Sequence, residues 1–251
     1  MDRDQLVRYL DEFLDAHNGG DYCPNGLQVE GKQQIRSVIT GVSANLELIE
    51  IAVERGADAI LVHHGIFWKG DPQPLVGYRH RRVAALLNHQ INLISYHLPL
   101  DRHPELGNNA LAADAFGLED RRSFGVAGGL PVGFGGPLAQ PCSPQELAEK
   151  AEAIFQQRPL SFLHGPDPVR SLALISGAAE DEISAAHEAG YDAFLTGEIK
   201  ERIPALAQEL GIHFLSCGHH ATERLGIRAL GEHLSARFDL EVDFVDVPNP
   251  V

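Results

Sequence analysis

Basic charge, cysteine and long apolar runs are all scarce in this 251-residue chain, and each scarcity removes a class of function. Lys and Arg number 20 against 35 Asp and Glu, a formal net charge of −15. A surface of that sign repels nucleic-acid phosphates and anionic lipid, so neither a DNA or RNA duplex nor a membrane is an expected partner. A small phosphorylated ligand stays compatible with it, because bound metal ions invert the local field. No apolar run reaches the ~20 residues of a membrane-spanning helix. The first residues, Met1-Asp2-Arg3-Asp4, open a charged amphipathic segment without the apolar core of a secretory leader. Only Cys23, Cys142 and Cys217 occur, widely spaced and odd in number, which implies no disulfide framework. A cytoplasmic location is expected. Phosphate-loop, dinucleotide-fingerprint and Gly-x-Ser-x-Gly motifs are missing too. The glycines between residues 121 and 141 therefore read as turns and short strands joining two lobes.

What is present is alternation. Leu6, Leu10, Phe13 and Leu14 make an apolar stripe that predicts a helix over 4–17. Strands are expected at 35–42, 58–62 and 91–96, with helices at 45–55, 79–88 and 108–116 between and after them. Such a pattern indicates βαβ units and an α/β fold with largely parallel or mixed sheets flanked by helices. Ser143-Pro144-Gln145-Glu146 opens a further helix with a capping box.

The chain also repeats itself. Residues 35–61 align without a gap on 169–195, at a constant offset of 134, with ten identical positions that include Gly56/Gly190 and Asp58/Asp192. Strand, helix, Gly-x-Asp-Ala and strand thus occur twice, so two related α/β lobes are expected, 1–124 and 125–251. The final strand, 241–247, fits either sheet. The first copy ends in Val62-His63-His64 where the second ends in Thr196-Gly197-Glu198.

Histidines and carboxylates gather where apolar strands run out, the end at which α/β proteins present their ligands. His63-His64-Gly65 follows Ala59 to Val62, His97 and Asp101 follow the third strand, and Gly218-His219-His220-Ala221-Thr222-Glu223 follows Ile212 to Cys217. Imidazole with carboxylate is the donor inventory of a divalent transition-metal site. His219 and Glu223 stand four residues apart at a helix start, hence on one face; His220 diverges by ~100°. His63 and His64 would face opposite ways on a regular strand, but a turn into Gly65 lets both approach one cleft, which favours two metals, one on each imidazole. Asp101 lies beyond Pro99 and is expected in an extended loop, with His97 ligating or supporting from behind. Trp68 is a wall beside these histidines or a packing residue. Arg79, Arg81 and Arg82 read as a solvated helix face, and with Lys69 they are the available cations for a substrate phosphate. His80, His89, His103, His164, His187, His213 and His233 sit in expected helices or polar loops. The turn-rich stretch 19–31 reads as a structural loop.

Four of these stretches carry a family resemblance: Tyr22-Cys23-Pro24-Asn25-Gly26-Leu27-Gln28-Val29-Glu30-Gly31, Val62-His63-His64-Gly65, His97-Leu98-Pro99-Leu100-Asp101 and Gly218 to Glu223. The chain resembles, over essentially its whole length, the Nif-like dinuclear-metal-centre hexameric proteins, also known as GTP cyclohydrolase I type 2 homologues. The match is strongest to the short bacterial form. The resemblance implies a toroidal homohexamer and two divalent metal ions per subunit, among iron, zinc and manganese. It implies His63, His64, Asp101, His219 and Glu223 as ligands, with Glu223 bridging and His97 close by. Expected on that basis is a dinuclear-metal-dependent hydrolase of a small molecule, a nucleotide such as GTP included, with His97 or His220 shuttling protons. The alternative is a non-catalytic metal-binding or adaptor ring.

Overall fold

The computed structural model describes residues 1–251. The chain starts with α1 (Arg3–Phe13), β1 (Gly26–Val29) and β2 (Ser37–Ser43), then α2 (Leu46–Glu54), β3 (Ala59–His64), α3 (Gly77–Asn88), β4 (Asn92–Ser95) and the single turn α4 (Leu98–Asp101). It continues through α5 (Asn108–Phe116), β5 (Arg122–Ala127), β6 (Leu130–Cys142), α6 (Pro144–Phe155), β7 (Leu160–Leu163) and β8 (Val169–Leu174). Then come α7 (Ile183–Glu188), β9 (Ala193–Thr196), α8 (Ile203–Leu210), β10 (His213–Ser216), the turn α9 (His219–Thr222), α10 (Arg224–Arg237) and β11 (Glu241–Phe244).

Two compact units result. Unit 1 is Met1–His103 with Gly226–Pro248; unit 2 is Pro104–Leu225 with Asn249–Val251. The division falls at 103/104 rather than 124/125, because Ala112, Ala113 and Phe116 of α5 bury their side chains in the core of unit 2. The closing strand belongs to unit 1, where β11 runs parallel to β2.

Each unit is an α/β layer around a mixed sheet, of order β1-β4-β3-β2-β11 in unit 1 and β5-β6-β8-β9-β10-β7 in unit 2. The repeat accounts for the shared part. β2, β3 and β4 are parallel neighbours in one, β8, β9 and β10 in the other, and each set carries an antiparallel edge strand. The repeated aspartate has the same task in both. Asp58 Oδ2 accepts from the N–H groups of Arg36 and Ser37 at 2.9 and 3.3 Å, and Asp192 Oδ2 from those of Arg170 and Ser171 at 2.7 and 3.1 Å. A carboxylate entering one strand thereby satisfies the backbone entering its neighbour, which no apolar residue could do.

Residues 121–141, expected as turns and short strands joining two lobes, are strands, but they belong to the second sheet rather than to a connection. β5 and β6 form an antiparallel hairpin, and β6 continues the second sheet against β8. Its glycines are there for close approach: a Cβ on Gly133 would lie 2.3 Å from the Leu174 carbonyl oxygen, and one on Gly135 2.3 Å from the Tyr191 ring. The capping box forms as expected, with Ser143 and Glu146 exchanging side-chain and backbone hydrogen bonds. No helix is long and apolar enough to cross a membrane.

Candidate metal centre

In unit 1 the ligand-type residues sit on the ends of neighbouring parallel strands. β3 runs on through His63 and His64 instead of stopping before them, and His97 follows β4 as the N-cap of α4. The two adjacent histidines nevertheless converge, with ring centroids 4.6 Å apart. His63 is fully buried, and its Nδ1–H donates to the Tyr96 carbonyl at 3.1 Å. His63 Nε2 lies 3.5 Å from Asp101 Oδ2. Asp101 is buried and helical, not in an extended loop. Pro99 sits in the first turn of α4, where a missing N–H costs nothing, so the proline starts this helix rather than preventing it.

His97 Nδ1–H donates to Asp21 Oδ1 at 2.7 Å. Asp21 comes from the stretch expected to be a plain loop, and sequence reasoning missed it. Its carboxylate also accepts from the N–H of Leu98 at 3.0 Å and from Asn25 Nδ2 at 2.9 Å, while Asn25 Oδ1 accepts from the N–H of His97 at 2.8 Å. Burial raises the Asp21 pKa, but the hydrogen bonds from His97, Asn25 and the Tyr22 amide overcome it and bring it from 3.8 down to about 2. The stability this contributes, about 2 kcal/mol, is fully present above pH ~4 and lost as pH falls through about 2. Asp21→Asn should therefore destabilise the fold at pH 7 and flatten its acid denaturation between those limits, measured by chemical unfolding at stepped pH. Trp68 stands edge-on to His97 at 5.3 Å between ring centroids and 5.7 Å from His64, the wall of the cluster. Arg79 is occupied elsewhere, beside Asp71 at 3.6 Å.

Unit 2 presents a smaller set at the corresponding strand ends. His219 Nε2 is 3.1 Å from Glu223 Oε2, as the four-residue spacing requires. Its Nδ1–H donates to Glu198 Oε1 at 2.6 Å. Burial lowers the His219 pKa, yet the flanking carboxylates of Glu223 and Glu198 outweigh it and raise it to about 9. Glu198 was missed although its signal was available: at the offset of 134 it occupies the place of His64. His220 is buried on the same turn, its backbone N–H donating to the Val251 carbonyl at 2.9 Å, and it lies outside the convergent donor groups. His213, expected in a helix or polar loop, is buried on β10, where it accepts from the Gly165 N–H and donates to the Pro166 carbonyl.

The donors suit a divalent transition metal. Imidazole and carboxylate predominate, and His63, His97 and His219 each give one N–H to a carbonyl or carboxylate, the support that metal-bound histidines characteristically receive. Fold and donors together define a two-unit α/β protein with metal-ligand-type clusters at its strand ends.

Comparison with known proteins agrees on the fold. The model of the Duf34/NIF3 (NGG1p interacting factor 3) family matches residues 1–250. A GTP cyclohydrolase 1 type 2 homolog of Pseudomonas aeruginosa is 45% identical, over 98% of this chain and 97% of its own. A solved structure of the protein ybgI, of unknown function, is 43% identical with a TM-score of 0.94 over 100% of both chains. The crystal structure of TTHA1606 from Thermus thermophilus is 38% identical with a TM-score of 0.88, again over 100% of both. This chain belongs to the Duf34/NIF3 family.

Proposed function

We propose that the chain is a metal-dependent hydrolase of a small molecule, with a nucleotide such as GTP as the leading substrate. In this reading His63, His64, Asp101, His219 and Glu223 would hold two divalent ions, and the working assembly is a homohexamer. The observation that carries it is the donor set itself: an imidazole paired with a buried carboxylate at strand ends in both units, His63 with Asp101 and His219 with Glu223. The relatives' name, GTP cyclohydrolase 1 type 2 homolog, points to the same chemistry. Divalent ions bound there supply Lewis acidity and hydroxide near neutral pH.

The chain's own groups do the remaining work. Asp21 fixes the orientation of His97, and His97 or His220 moves the proton. Trp68 keeps water off one side of the imidazole cluster. Lys69, Arg81 and Arg82 are the cations available to substrate phosphates.

Elemental mass spectrometry on protein purified without chelator should find two ions per chain. Glu223→Gln should abolish nucleotide hydrolysis while the hexamer persists in analytical ultracentrifugation. Unchanged turnover in that variant would overturn the mechanism. Two bound ions with no turnover of any nucleotide would favour a non-catalytic metal-binding ring.

A further inference from the structure

The two sheets differ at one edge. Read from the antiparallel strand at the other side, the second sheet runs β7-β10-β9-β8-β6-β5 and the first β1-β4-β3-β2-β11. The repeat places β2 on β8 and β3 on β9, so β11 and β6 occupy the same flank. β6 is covered by β5. β11 pairs with β2 alone, and the sixth position of the first sheet stays open. Its backbone is turned to receive a strand. The N–H groups of Glu241 and Val245 donate to the Arg36 and Thr40 carbonyls, both at 2.8 Å. Alternation along a parallel strand therefore points the N–H and C=O of Val242 and Phe244 outward.

A groove of about 520 Å³ lies beside this edge, between α10 and β11, with Arg228, Ser235, Ala236, Val242 and Phe244 on its walls and Thr40 on its floor. Gly231 brings α10 down onto β2: a Cβ there would lie 3.1 Å from Thr40 Cγ2 and 3.2 Å from its Oγ1. Thr40 is fully buried, and its Oγ1 has no hydrogen-bond partner. Packing does not call for that hydroxyl. At the offset of 134 Thr40 corresponds to Leu174, a core residue of the second sheet. The same place is thus polar in the copy whose edge is open and apolar in the copy whose edge is covered.

Charge decides which strand fits. Val242 and Phe244 turn toward α10 and pack on the core that contains Leu230 and Leu234, so Glu241 and Asp243 stand on the opposite face, both exposed. Arg55 Nη1, 3.7 Å from Asp243 Oδ2, offsets only one of the two. A second copy of β11 suits the edge badly. Of the two antiparallel registers centred on the strand that use the outward groups, one sets Asp243 against itself and the other sets Glu241 against Asp243. We propose that the β11 edge and the groove beside it bind an extended segment of another protein, apolar and basic at alternate positions, as a sixth strand. Its apolar side chains enter the groove over Val242 and Phe244. Its Lys or Arg side chains stand beside Glu241 and Asp243, and the chain's net charge of −15 favours their approach.

The test is fluorescence anisotropy on the full chain, with labelled Lys-Val-Lys-Val-Lys-Val as the probe, and saturable micromolar binding is expected. Lys-Lys-Lys-Val-Val-Val, of equal charge, and Glu-Val-Glu-Val-Glu-Val should each bind about tenfold more weakly. Val242→Pro keeps the ladder to β2 but deletes an outward N–H, and Ala236→Trp fills the groove. Each should weaken the probe by roughly tenfold. Asp243→Lys should reverse the preference, so that the acidic alternating peptide binds better than the basic one. Circular dichroism verifies the fold of every variant. Should Val242→Pro not fold, Ala236→Trp and Asp243→Lys decide. Wild type that leaves the probe unbound overturns the proposal, as does unchanged affinity in Ala236→Trp or an unchanged preference in Asp243→Lys. Equal binding of the two basic peptides also overturns it, since net charge alone would then explain the attraction. Self-association of the chain that Val242→Pro abolishes, with no binding of the probe, would put a second copy on the edge and overturn the assignment to a foreign segment.

Discussion

Replacing Gly197 with Ala should cost the chain one of its two proposed metal ions although no ligand is removed. A Cβ at Gly197 would lie 2.6 Å from the Gly177 carbonyl oxygen, 2.6 Å from His219 Cα and 2.9 Å from His219 N. These are backbone atoms that cannot swing aside, so α9 must move and carry His219 with it. The offset of 134 puts Gly197 opposite His63 and Gly177 opposite Ser43. In unit 1 those positions supply a candidate ligand and the hydroxyl beside His64. In unit 2 both have lost their side chains, because the turn bearing His219 and Glu223 fills the space. Gly177 shows the same pressure: its φ is +69°, and a Cβ there would stand 2.4 Å from Glu223 Oε1. Overpacking of this kind costs about 1–3 kcal/mol, a fall of roughly 2–10 °C in melting temperature for a chain of this length. Elemental analysis of the folded Gly197→Ala protein should show the loss. Full loading would mean that α9 tolerates the shift, and that the donor positions are less tightly set than the contacts require.

The same pair of copies explains what could be read from the sequence. His63 and His64 stood out because doubled histidines ending an apolar strand are a local pattern, as are the four-residue spacing of His219 to Glu223 and the capping box at Ser143. The repeat located the parallel strands, since it repeats their apolar runs and the aspartate that joins them. Asp21 escaped because its partner, His97, lies 76 residues away in the chain, and no local pattern announces that contact. Glu198 escaped for a different reason: the site changes chemistry between copies, imidazole in one and carboxylate in the other. The hairpin of β5 and β6 was hidden by its glycines, which look like turn residues and are in fact demanded by Tyr191 and the Leu174 carbonyl. Pro99 suggests an extended loop at Asp101, yet the proline occupies the one part of a helix that accepts it.

Phe155→Ala should produce the largest loss of stability, about 3–5 kcal/mol. Phe155 is the last residue of α6 and almost wholly buried, in a core shared with Phe116 of α5, Leu172 of β8, Leu195 of β9 and Leu215 of β10. Its ring centroid is 6.1 Å from that of Phe116. Truncation opens a cavity where two helices meet the sheet, and close-packed neighbours fill such a gap only partly. The cores of unit 1 are built from other residues, among them Leu61, Ile94 and Tyr96 in one cluster and Ile39, Ile60 and Leu93 in the other. Hydrogen exchange should therefore accelerate by roughly two to three orders of magnitude at the amides of β8, β9 and β10, and by much less in β2, β3 and β4. Equal acceleration in both would show a single cooperative unit. Unequal acceleration has a chemical consequence: β9 and β10 carry the turns that bear Glu198, His219 and Glu223, so the ion that depends on His219 should leave the variant well before β2, β3 and β4 open.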